Sequence, residues 1–195
     1  MSEIGASLEE RARPTLWRTC RAMANTTRLR ILRQLMRGPE QSVSELAAAL
    51  GISDVVATRH LRRLGARGLL RVRRQGSWVF YRVEADPTIR EAGPLVGALR
   101  ETLQGERDVF DEVSRLATAF THPRRQAIYE ALRVGDRSFL ELQEETGISE
   151  RALARHLDKL VDRGFVVAGM DLYRATRPPG RLAQVLAELA PESAR

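Results

Sequence analysis

The chain repeats itself, and any fold for it has to use one unit twice. Displaced by 96 residues, Gly51-Ile52-Ser53 falls on Gly147-Ile148-Ser149, and Arg59-His60-Leu61 falls on Arg155-His156-Leu157. Glu45-Leu46 falls on Glu141-Leu142, Leu64 on Leu160, and Arg67-Gly68 on Arg163-Gly164. Across residues 25–70 and 121–166, 14 of 46 positions are identical with no gap. Self-similarity at a fixed period marks a repeated supersecondary unit. A chain of 195 residues has room for two small domains.

The first copy can be read locally. Leu29, Ile31, Leu32, Leu35 and Met36 recur at helical spacing over Thr27 to Met36, and Gly38-Pro39 stops that helix. Ser42 or Ser44 is placed to cap a short helix, Glu45 to Leu50, which Gly51 ends. Ser53 caps a second helix that runs to about Arg67 and buries Val56, Leu61 and Leu64. Two helices around a tight glycine turn form a helix-turn-helix spacing. After Gly68 the period changes to two. Leu70 and Val72, then Trp78 and Phe80, alternate with Arg71, Arg73, Val79 and Tyr81. The spacing predicts strands over about 69–73 and 78–83, with a tip from Arg74 to Ser77. A helix-turn-helix followed by a basic hairpin is a winged helix. The expected architecture is therefore mainly α with small β-hairpins: two tandem winged helix-turn-helix domains joined by a helical linker. The expected divisions are 1–86, a linker and dimerisation segment over 87–118, and a second, degenerate copy over 119–195.

Residues 44–83 resemble the DNA-binding domain of the ArsR/SmtB family of bacterial and archaeal repressors. The His60-Leu61 pair, the Arg67-Gly68 helix end and the aromatic return strand from Trp78 to Tyr81 carry the match. It extends over roughly residues 8–100, and the second copy, about 115–190, resembles the same domain more weakly. The resemblance implies sequence-specific binding of double-stranded DNA, dimerisation through terminal helices and, in part of the family, an inducer metal.

Charge places the interaction in the first copy. The chain carries +7, with 32 Lys and Arg against 25 Asp and Glu; Lys159 is the single lysine. Residues 1–86 carry +8, residues 87–120 carry −2, and residues 121–195 carry +1. A local cationic excess points to a polyanion such as nucleic acid. On the second helix Ser53, Asp54, Val55, Thr58 and Arg59 lie toward the N-terminal half, which in such motifs faces the major groove. Arg59 suits guanine O6 and N7, and Thr58 a thymine methyl or a phosphate. Arg62 and Arg63 suit phosphate. Asp54 caps the helix or accepts from cytosine. His60 is read first as a packing histidine and second as a phosphate contact. In the wing Arg71, Arg73 and Arg74, with the tip residues Gln75, Gly76 and Ser77, track the backbone or enter a narrow minor groove. The second copy has Glu150, Asp158 and Asp162 on its equivalent helix and Asp171 at its hairpin tip. Arg151 and Arg155 keep a secondary DNA contact there open.

The helices outside the repeat are read from Leu95, Val96, Leu99 and Leu103, from Val109, Phe110, Val113 and Leu116, and from Leu182, Val185, Leu186 and Leu189. An N-terminal helix is read from Leu8, Leu16, Trp17, Cys20 and Met23, interrupted by Pro14. These helices either make a dimer or clamp the two copies within one chain.

Other chemistry is not indicated. Cys20 is the one cysteine, and His60, His122 and His156 have no ligand spacing, so neither a metal nor another cofactor is expected. No phosphate-binding loop, dinucleotide fingerprint or nucleophile elbow occurs, so an enzyme is not expected. Met1 to Arg13 does not read as a secretion signal, and no apolar run is long enough for a bilayer. The expectation is a cytoplasmic, nucleoid-associated transcriptional regulator, a repressor and homodimer without a membrane partner, and with no effector identified. The rival readings are a winged-helix protein-interaction scaffold and a non-specific nucleic-acid-binding protein.

Overall fold

The computed structural model describes residues 15–104 and 109–190. Leu8, Pro14 and Gly105, which entered the reading of the flanking helices, lie outside the described residues. The first copy contains α1 (Leu16–Met23), α2 (Thr26–Met36), β1 (Gln41–Ser42), α3 (Val43–Leu50), α4 (Asp54–Gly65), β2 (Leu70–Gln75) and β3 (Trp78–Val83). Next come α5 (Ala92–Leu103), α6 (Phe110–Ala117) and a single 3₁₀ turn (Thr118–Phe120). The second copy contains α7 (Pro123–Val134), α8 (Phe139–Thr146), α9 (Glu150–Asp162), β4 (Val166–Ala168), β5 (Tyr173–Ala175) and α10 (Arg181–Leu189).

The helix boundaries follow from capping chemistry. Asn25 accepts the Arg28 N–H at the start of α2. Ser42, rather than Ser44, caps α3. Its hydroxyl oxygen accepts the Glu45 N–H, while the Glu45 carboxylate accepts from the Ser42 N–H at 2.7 Å. This reciprocal pair satisfies two otherwise orphaned donors. Ser138 and Glu141 repeat it at α8. Both short helices end on a left-handed glycine, Gly51 at φ 64° and Gly147 at φ 62°. Glycine adopts this conformation without a Cβ penalty, which lets the chain turn directly into the next helix.

The wing is a three-stranded antiparallel sheet in the order β1-β3-β2. Gln41 pairs with Tyr81 and Ser42 with Phe80, so the segment before α3 is sewn to the wing's return strand. The sequence reading missed β1, which has two residues and no periodicity of its own. The second hairpin, β4-β5, is shorter, and Arg137 bridges to Tyr173 beside it.

The core runs through both copies. One buried cluster includes Leu29, Leu32, Leu61 and Leu64 of the first copy, and Ile128, Leu153, Leu157 and Leu160 of the second. The joining helices supply the continuity. α5 packs on α10, α1 packs on α6 and the 3₁₀ turn, and α2 packs on α6. Each contact between α1 and α6, or α5 and α10, sets an element of one copy against its counterpart in the other, as in a two-fold interface. Leu95, Leu99 and Leu103 on α5 and Leu182, Val185 and Leu186 on α10 are all buried. Each such side chain contributes about 1.5–3 kcal/mol of transfer free energy. The terminal helices therefore clamp the copies within one chain.

Candidate nucleic-acid interface

Helix α4 divides into two faces. Ala57, Leu61 and Leu64 are fully buried against the core. Asp54, Val55, Arg59, Arg62 and Arg63 are exposed, and Thr58 is half-buried among them. The offsets 54, 55, 58, 59, 62 and 63 form one stripe along a helix of 3.6 residues per turn. These side chains line a common groove on the outer surface of the helix. Ser53, the N-cap, accepts the Val56 N–H at 3.4 Å. Asp54 is anchored from the preceding helix, where the Ser44 hydroxyl donates to its carboxylate at 3.0 Å. That bond ties α3 to α4 and fixes the angle at which the stripe is presented. Val55 is 78% exposed at the helix's N-terminal end. An apolar side chain held in water there matches thymine methyl groups, and Arg59 one turn on matches guanine.

His60 departs from the candidate list. It is 8% exposed, and its Nδ1 is buried with no hydrogen-bond partner among the described residues. Burial, followed by the charges of Arg28, Arg59 and Arg63, holds its pKa below the ordinary imidazole value. A neutral, inward histidine offers no charge to phosphate. Its packing role matches the first of the two sequence readings.

The wing also differs from the sequence reading. Arg74 and Gln75 belong to β2, and the turn is only Gly76 and Ser77, between Gln75 and its partner Trp78. Gly76 at φ 59° supplies the positive dihedral that a two-residue hairpin turn demands. Val72 pairs with Tyr81 and Trp78 with Gln75, so the two apolar side chains lie on opposite faces of the hairpin. Both are exposed, Trp78 by 60%, because the wing projects beyond the core and only Leu70 of β2 is buried. Arg71, Arg73 and Arg74 all reach solvent, with different restraints. Arg71 lies 3.7 Å from Glu84, which also pairs with Arg82. Arg73 pairs with Glu40 at 2.5 Å, donates to the Gln75 side chain at 2.8 Å, and lies 4.9 Å from the Phe80 ring centroid. Its bond holds the Glu40 carboxyl below the usual carboxylate range. Arg74 has no ion pair among the described residues. Sequence reasoning missed the partnerships of Glu40 with Arg73, Ser44 with Asp54 and Phe80 with Arg73, because folding brings each pair together.

The second copy presents less cationic surface. Arg151 and Arg155 are exposed on α9, alongside exposed Glu150 and Asp158. Arg174 of β5 donates to both oxygens of Asp136, from Nε to Oδ1 at 3.1 Å and from Nη2 to Oδ2 at 2.6 Å. His156 is buried like His60, and its ring centroid lies 4.7 Å from that of His122. Burial, then His122 and Arg125, push its pKa down to about 4.

Among the described residues no group of His, Cys, Asp or Glu is placed to hold a metal ion. Cys20 is buried, and burial pushes its thiol pKa up. Among the same residues no helix is long and apolar enough to cross a membrane.

Comparison with known proteins matches both copies. The helix-turn-helix domain family model fits residues 23–73 and again 120–167, about half of the chain. The nodulation protein NolR of Rhizobium meliloti is 32% identical over 91 residues, covering 47% of this chain and 70% of that protein. The arsenic resistance transcriptional regulator ArsR1 of Pseudomonas putida is 35% identical over 82 residues, covering 42% of this chain and 62% of its own length. Among solved structures, a winged helix-turn-helix DNA-binding domain from Mycobacterium bovis is 32% identical. It is described as homodimeric and as a possible ArsR-family transcriptional regulator. The match covers 53% of this chain and 84% of that one, with a TM-score of 0.38. The chain thus belongs to the helix-turn-helix domain family, as an ArsR-like DNA-binding transcription regulator that carries the domain twice.

Proposed function

We propose that α4 of the first copy reads base edges in the major groove of double-stranded DNA while the β2-β3 wing grips the adjoining backbone or minor groove. The observation that carries this is the outward stripe of Val55, Thr58 and Arg59, flanked by Arg62 and Arg63 and backed by exposed Arg71, Arg73 and Arg74. Asp54 orients the stripe. Ser53, Gln75 at the end of β2 and the turn residues Gly76 and Ser77 complete the surface, and His60 is left out. Residues 1–86 do the reading, 87–118 join and pair, and 119–195 lend support, with Arg151 and Arg155 as a weaker secondary contact.

The protein represses transcription in the cytoplasm at the nucleoid and catalyses no reaction. Dimerisation, which the family resemblance implies, places two first copies on an inverted repeat with half-sites about one helical turn, roughly 34 Å, apart. A second reading of the assembly draws on the in-chain pairing of α5 with α10 and α1 with α6. In that reading one chain is its own pair of winged helices and binds an unequal pair of half-sites. Sedimentation of the DNA complex separates them, with two chains per site for the first and one for the second.

The test of the reading is binding of two variants to duplex DNA at several salt concentrations. Arg59→Ala loses discrimination between sites that differ by one base pair. Arg74→Ala weakens binding to all sequences alike. Unchanged affinity and discrimination in both variants overturns the proposal.

A further inference from the structure

A groove of about 410 Å³ lies between α1 and the far end of α4. Six arginines line it: Arg18 and Arg21 from α1, Arg28 from α2, and Arg62, Arg63 and Arg67 from the end of α4 and beyond. Trp17 and two alanines complete the wall, and among the described residues no carboxylate lines it. The Arg18 and Arg21 guanidinium groups lie 4.7 and 5.5 Å from the Trp17 ring centroid, which holds both at the rim. Arg28 has a structural duty, donating to the Ala22 carbonyl oxygen and, at 2.9 Å, to that of Arg21. Arg67 has no such bond among the described residues. Its Nη1 is buried with no hydrogen-bond partner among the described residues. Burial comes first in holding Arg28 and Arg67 below the ordinary arginine pKa, and the charges of Arg63 and Arg18 add to it.

The second copy keeps part of this cluster and loses Trp17, Arg21 and Arg62 from it. The N-caps Asn25 and His122 and the like carbonyl bonds of Arg28 and Arg125 set the register, in which Ser114, Arg115, Thr118 and Asp158 stand where Trp17, Arg18, Arg21 and Arg62 stand in the first copy. The counterpart of Arg67 is Arg163, which donates to the Thr118 hydroxyl at 2.8 Å. Crowded like charges and a buried, unmatched guanidinium N–H cost free energy unless an anion joins them. Guanidinium forks match phosphate and carboxylate oxygens, and the volume suits a small organic ligand.

We propose that this groove binds a small, multiply charged anion whose phosphate or carboxylate groups are held by Arg21, Arg62, Arg63 and Arg67. Arg62 and Arg63 also border the groove along the outer face of α4. An occupied groove therefore withdraws two cations from DNA, a consequence that rests on the reading above. Anion binding itself does not rest on it. The same chemistry comes from a DNA phosphate, and the test separates the two sources.

Calorimetric titration of the full chain, without DNA and near physiological salt, uses inorganic pyrophosphate and citrate as probes. The expected result is one saturable site for at least one probe. Arg21→Ala and Arg67→Ala weaken it about tenfold or more, and Arg74→Ala leaves it unchanged. Arg21 is exposed, so its variant keeps the test alive even where the Arg67 variant does not fold. No saturable heat with either probe, or equal loss in Arg74→Ala, overturns the proposal. A second arm measures duplex binding by fluorescence anisotropy. Displacement of DNA by the saturating probe in the parent, and its absence in Arg21→Ala, supports the shared-cation account. Weaker DNA binding in Arg21→Ala and Arg67→Ala, with no probe site, assigns the groove to the DNA backbone and overturns it. A chain that binds the probe but no DNA contradicts the DNA reading and leaves the anion site standing.

Discussion

Arg59 and Arg74 are both exposed arginines, and their surroundings predict different losses. Arg59 sits one turn into α4 beside Val55 and Thr58, where a bidentate guanine contact discriminates by about 1–3 kcal/mol. Competition with single-base-substituted duplexes should show Arg59→Ala losing that discrimination at one position. Arg74 lies on the wing without an ion pair among the described residues, and its proposed contribution is to phosphate. Its alanine variant should lower the slope of log affinity against log salt by about one. Two wing arginines are restrained by carboxylates, Arg73 by Glu40 and Arg71 more loosely by Glu84. A histidine gives a pH prediction. The folded pKa of His156 is depressed to about 4 from an unfolded value near 6.5, so the unfolded chain binds the extra proton first. This contribution to stability is full above pH 6.5 and is lost as the pH falls from there toward 4. Urea unfolding at pH 7 and pH 5 should show the parent losing stability, and His156→Gln losing less. Equal losses in the two proteins contradict the assignment.

At the scale of elements, the two capping boxes are equivalent devices and give matched predictions. Ser42→Ala and Ser138→Ala each remove the acceptor of one helix N-terminus, at about 1 kcal/mol apiece, readable as a shift in urea midpoint. No shift in either leaves α3 and α8 without the account given for their starts. What was legible in the sequence follows the same line. Helices α2, α4, α9 and α10 and both left-handed glycine turns could be read because their signals are local: apolar spacing, cap residues and glycine. The wing was legible in kind but not in burial. Leu70 and Val72 alternate on one strand and Trp78 and Phe80 on the other, but the register sets the two pairs on opposite faces, with Phe80 beside Arg73, and no local signal fixes that register. The fixed position of Arg73, the anchoring of Asp54 by Ser44 and the short strand β1 all depend on partners brought close by folding. No periodicity announces such partners. His60 was legible as a packing residue from its repetition as His156, whereas its charge state required the burial.

For the whole molecule, the duplication has an energetic consequence. The buried cluster passes through α5, α6 and α10 from one copy to the other, so the copies are expected to unfold together. Chemical denaturation followed by fluorescence and by circular dichroism should give one coincident transition; two separated transitions contradict a shared core. The two copies are alike in scaffold and unequal in surface. The first keeps exposed arginines on helix and wing, while the second pairs Arg174 with Asp136 and places acids on α9. That inequality implies that the first winged helix determines which DNA is bound. The most direct test is selection from a random-sequence duplex library near physiological salt, carried out in parallel with the parent and Arg59→Ala. The parent should enrich a defined motif, and the variant should lose preference at one base pair within it. Salt-sensitive retention of every sequence without enrichment, or no retention, contradicts the account of α4 as the reading helix.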